Sequence, residues 1–95
     1  MCMVEKARCD NNYTWITNDT DDAFITGFHW SIKVYPQPSK YGINGGRISK
    51  LCVRESLLYG LVCGETLAYY EREWDINPKN SKVQELVNQL LEKYN

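Results

Sequence analysis

The end of the chain constrains its fold most. Val83, Leu86, Val87, Leu90, Leu91 and Tyr94 recur every three or four residues and form one apolar stripe. Ser81 followed three residues later by Gln84 fits a capping box, and Pro78 lies just outside it. The spacing predicts a helix over 81–94. A helix with one apolar face needs something to bury it, and the preceding sequence offers strands. Tyr13 to Thr17 is rich in aromatic and β-branched residues. Asn18 to Asp22 reads as a polar turn. Ala23 to Tyr35 reads as a long β-type run, with Gly27 marking a bulge or a bend between two strands. In its second half Trp30, Ile32 and Val34 alternate with His29, Ser31, Lys33 and Tyr35, the period of a half-buried strand.

Pro36 and Pro38 end that run, since neither can donate to a ladder. Arg47 to Arg54 reads as the next strand. Ile48 and Leu51 fall on opposite parities there, which a bulge near Ser49 explains. Glu55 to Glu65 is apolar, with two glycines, and reads as a hairpin connection with short strand ends. Thr66 to Trp74 reads as a further strand and Asp75 to Asn80 as a loop. The expected architecture is α+β: an antiparallel meander of four to five strands with one C-terminal helix packed on the sheet. Ninety-five residues suit a single domain, 1–95, with residues 1–12 as a loose lead-in.

Charge and cysteine usage narrow the function classes. The net charge is −1, with 11 basic against 12 acidic residues, so little counterion release favours double-stranded DNA, which is not an expected partner. No apolar run approaches membrane-spanning length, and MCMVEKARCD lacks the apolar core of a signal peptide. A cytoplasmic protein is expected, with Cys2, Cys9, Cys52 and Cys63 as free thiols. The Asn12-Tyr13-Thr14 and Asn18-Asp19-Thr20 matches to a glycosylation pattern are then accidental. With one histidine, His29, and no C-x-x-C pair, neither a metal nor another cofactor is expected. No nucleophile–base arrangement is legible, so the chain is not read as an enzyme.

Two stretches carry more chemistry than a scaffold needs. Tyr41 to Lys50, YGINGGRISK, concentrates glycine, asparagine, tyrosine and cations. The backbone of Gly45 and Gly46, with Arg47 and Lys50, suits an anion; Tyr41 suits stacking and Asn44 a polar edge. The same residues also suit a turn between two strands, and residue types alone leave both readings open. In Tyr69 to Asp75, YYEREWD, one strand parity holds Tyr70, Arg72 and Trp74, a cation between two rings. That row serves either as a packed sheet face or as a binding surface.

The run YGINGGRISKL, preceded by Lys33-Val34-Tyr35 and Ser39 and followed by Tyr70 to Asp75 and a closing helix, resembles a family of small uncharacterised proteins. These occur in Gram-positive bacteria, especially clostridia, and in their phages and mobile elements. The resemblance covers residues 23 to 94. Glu71 and Glu73 stand where the family pattern has Asp and Gly, and the stretch SLLYGLVCGET is longer and more apolar than usual. The resemblance implies no activity, only a setting in which such proteins act by binding. One expectation is counter-defence by sequestering a nucleotide-type ligand through the loop 41–50, with Tyr70, Arg72 and Trp74 contributing. The alternative is an inhibitor of a host defence protein, acting through a sheet edge or the 57–63 apolar insert. A homo-oligomer is expected in either case, because so small a domain gains from pairing.

Overall fold

A computed structural model describes residues 13–95; the lead-in expected over 1–12 lies outside them. The described elements are β1 (Thr14–Thr17), α1 (Thr20–Thr26), β2 (Phe28–Val34), a short 3-10 turn (Ile43–Gly45), β3 (Ile48–Leu57), β4 (Val62–Glu71), β5 (Trp74–Ile76) and α2 (Ser81–Tyr94). The strands form one five-stranded sheet in sequential order, each pair antiparallel. This is the expected meander with its C-terminal helix, and a short second helix besides.

Strand alternation sorts the side chains. Ile32, Val34, Leu51, Val53, Ala68 and Tyr70 point to one face and are buried. Val83, Val87 and Leu90 of α2 join them in a single cluster, with Ile16, Trp30, Trp74 and Leu86 packed around it. The opposite face of the sheet carries Trp15, Lys33, Lys50, Cys52, Tyr69 and Glu71 in neighbouring rows. The expected bulge is present: Lys33 pairs with Lys50 and Val34 with Ile48, leaving Ser49 as the extra residue. Ile48 and Leu51 thereby both reach the core despite their opposite parity.

Three expectations are corrected. Residues 20–26 are a helix, where the sequence reads as a turn followed by a strand. Asp19 caps it, accepting from Asp22 N at 2.7 Å, and Asp21 and Asp22 occupy the first turn, where the helix dipole favours acids. Gly27, at φ 84°, stops it in a left-handed C-cap rather than bending a strand. The β-propensity of Phe24, Ile25 and Thr26 loses to those caps. Second, the strand expected over 66–74 is two strands. Arg72, at φ 68°, reverses the chain, and Tyr70 pairs with Trp74 across the resulting hairpin. Third, the cap of α2 is Asn80, not Ser81: its side chain accepts from Val83 N at 3.0 Å.

The β3–β4 hairpin has longer strands than expected, reaching Leu57 and Val62. Its tip holds Leu58, Tyr59 and Gly60 at φ 50°, 58° and 87°. The tip leans on α1, with Gly60 against Thr20 and Phe24, and the Phe24 and Tyr59 rings 5.8 Å apart edge to face.

The loop between β2 and β3 is closed on itself. A β-carbon on Gly42 would fall on the Gly46 carbonyl, a backbone atom that cannot swing away. Gly42→Ala is therefore expected to destabilise the fold by about 2 kcal/mol or more. Urea denaturation measures this, and a midpoint equal to wild type would refute the close approach.

Candidate functional site

The basic glycine loop divides its residues between two tasks. Ile43 is buried and pins the loop to the core. Arg47 Nη2 donates to the Tyr94 carbonyl at 2.9 Å, and Asn95 Nδ2 donates to the Ile43 carbonyl at 2.9 Å. Ile48 N donates back to Asn95 Oδ1 at 2.9 Å. Gly46 lies directly beneath the Asn95 side chain, leaving no room for a side chain of its own. The Arg47 contact supplies a partner for one of the last carbonyls of α2, which a helix cannot satisfy within itself, and the Asn95 bonds tie the helix end to the loop. A cation at a helix C-terminus is also favoured by the dipole. Asn44 takes the left-handed region at φ 55° and Gly45 at φ 73°; both are exposed at the turn. Arg47 and Gly46, expected to hold an anion, hold the end of α2. Asn44 and Gly45 shape the turn that makes this possible.

Tyr70, Arg72 and Trp74 also separate. The Tyr70 and Trp74 rings pack edge to face, 5.2 Å apart, on the core side. Tyr70 Oη donates to the Tyr41 carbonyl at 2.9 Å and lies 3.2 Å from that of Arg72. The two stretches singled out in the sequence therefore meet through one phenol. Arg72 turns outward, its guanidinium 5.1 Å from the centre of the Tyr41 ring. Lys40 Nζ is likewise 5.1 Å from that ring.

What remains free gathers elsewhere. Tyr41, Lys50 and Arg72 line an open cleft of about 320 Å³, together with Lys33, Tyr35, Ser39, Ser49 and Glu71. The sequence reading missed Lys33 and Tyr35; their strand pairing with the loop's exit was the signal. Lys33 pairs directly with Lys50, and Lys50 with Glu71. Lys33 Nζ sits over the Tyr13 ring at 4.1 Å and 5.5 Å from the Tyr35 centroid. Such contacts hold the ammonium in place while leaving it solvated. Among the described residues no three His, Cys, Asp or Glu side chains converge as a metal site would require. None of the described helices is long and apolar enough to cross a membrane.

Residues 14–95 match a family described as a domain of unknown function, DUF7678. The chain belongs to that family. No curated protein and no solved structure matches it significantly. The DUF7678 match includes every element described above except Tyr13, so the cleft and the loop–helix contacts both lie within the family domain.

Glu71 is the acid of the cleft. Lys50 Nζ is 2.9 Å from Glu71 Oε2, and Tyr69 Oη donates to Glu71 Oε1 at 3.0 Å. The hydrogen bond from Lys50, then that from Tyr69, holds the Glu71 carboxyl below its usual range. The same bond raises Lys50, and the Glu71 bond raises Tyr69. The small stabilisation from the depressed Glu71 is present above the unfolded carboxyl's pKa and is lost as pH falls through the folded value. The contribution of Lys50 is lost only as pH rises through its raised value. Lys50→Met is expected to move the Glu71 titration upward, read by NMR of the side-chain carboxyl carbon. An unmoved titration would show that the pair does not form in solution.

Proposed function

We propose that this domain binds a nucleotide-type ligand in the cleft and acts by holding it rather than converting it. The observation that carries the reading is that Lys33, Lys50 and Arg72 line one cleft with the Tyr41 ring, which is 47 % exposed. Three cations with a single acid among the described lining residues favour a ligand bearing negative charge. Arg72 offers a planar fork to phosphate, and Lys33 and Lys50 offer point charges. Ser39 and Ser49 add hydroxyls, and an accessible ring beside the cations suits a base. Among the described residues the cleft is lined by no histidine or cysteine.

The setting implied by the sequence resemblance gives such binding a purpose. A phage or mobile-element protein that sequesters a nucleotide signal would blunt a host defence without catalysis, working by stoichiometry in the host cytoplasm. Arg47 enters this proposal as a support for the loop, not as a phosphate ligand.

Thermal unfolding in the presence of linear and cyclic nucleotides tests the proposal. At a ligand concentration 100 times the dissociation constant the fold should gain about 2.7 kcal/mol, a visible rise in Tm for a domain of this size. Lys33→Ala with Lys50→Ala is expected to abolish that rise while leaving the unliganded Tm nearly unchanged, since both side chains lie on the open face. A nucleotide panel that leaves Tm flat would overturn the proposal.

A further inference from the structure

The cleft does not end at Lys50. One row further along the same sheet face, Trp15, Ser31, Cys52 and Tyr69 surround a second hollow of about 180 Å³, and Lys50 lines it too. The register explains the continuity. Trp15, Lys33, Lys50 and Glu71 form one cross-strand row, and Thr17, Ser31, Cys52 and Tyr69 the next. The two hollows differ in chemistry. The first is lined by three cations, two tyrosines, two serines and Glu71; the second by Trp15 and Tyr69, with Ser31, Leu51, Cys52 and the shared Lys50. Trp15 is 53 % exposed, and the Tyr69 hydroxyl is already turned away to Glu71, leaving its ring as a wall. Burial outweighs the opposing Arg54 charge and pushes the Cys52 thiol up, so Cys52 presents an uncharged thiol. A small hollow between aromatic rings, with its one described charge, Lys50, shared with the cleft, accepts a flat, uncharged ring. An ammonium between that hollow and a cationic cleft accepts the charge joining two such rings.

We infer that the ligand is two nucleotide units joined by a phosphodiester. Lys50 sits at the bridging phosphate, one base enters the Trp15–Tyr69 hollow, and the other lies against Tyr41 in the cleft. This rests on the nucleotide reading above and narrows it. Two sources share the chemistry: a free dinucleotide, linear or cyclic, and a stretch of single-stranded RNA or DNA laid across the sheet. Stacking on rings beside a basic groove serves both.

Calorimetric titration with adenosine monophosphate, linear and cyclic diadenylate, and a ten-nucleotide oligoadenylate tests the inference. One of the two-base ligands should bind at least about tenfold tighter than the monophosphate. Trp15→Ala should remove that gain and leave monophosphate affinity unchanged; the wild-type comparison stands even if the variant folds poorly. Equal affinity for one and two units would overturn the inference and leave the nucleotide reading in place. Absence of binding by every compound would overturn both. A ten-mer that binds as tightly as the dinucleotide, with affinity falling steeply with salt, assigns the site to a strand. A ten-mer excluded while the dinucleotide binds assigns it to a free signal.

Discussion

The fold depends on the meeting of the β2–β3 loop with the end of α2. A single amphipathic helix of this length is marginal alone and persists by packing. Its apolar stripe supplies most of that packing, but its last turn carries carbonyls with no partner of their own. The loop provides one in Arg47, whose charge-assisted bond to Tyr94 is of the kind worth about 1.5–3 kcal/mol. Asn95 then ties the helix end to Ile43 and Ile48. The loop's shape follows from those demands: Gly46 so that Asn95 can approach, Gly42 so that the loop can close, and Asn44 and Gly45 to turn left-handed.

Much of this was legible in the sequence, and the exceptions have definite causes. The helix over 81–94 stood out because its period holds for four turns. The bulge at Ser49 was legible because Ile48 and Leu51 both had to be buried from opposite parities. Helix α1 was not, because its two largest apolar residues, Phe24 and Ile25, face solvent and give no core stripe. Only the Asp19 cap and Gly27 signal it, and both also fit turns. Tyr70, Arg72 and Trp74 looked like one face of a strand because alternation cannot reveal a non-glycine residue in left-handed backbone. The two-residue reversal at Arg72 and Glu73 broke the pattern.

The candidate site was half legible for a related reason. A cluster of cations in sequence says that charge is gathered, not where it points. Arg47 and Lys50 are three residues apart, yet one serves the helix end and the other the open face. The cleft's remaining cations come from β2 and from the β4–β5 turn. Lys33 is not part of either conspicuous stretch and enters only through its pairing with Lys50.

The extra residue at Ser49 acts as a phase shifter between two halves of one motif. Before it, side chains answer to the helix and the core; after it, the odd and even positions exchange faces, and Lys50 answers to the open surface. The support of the helix and the make-up of the open face are thereby written into neighbouring positions without sharing a side chain. Substitutions on the open face, at Lys33, Lys50, Tyr69 or Trp15, leave the latch to α2 intact. A domain too small to carry separate scaffold and site modules obtains that separation from one inserted residue.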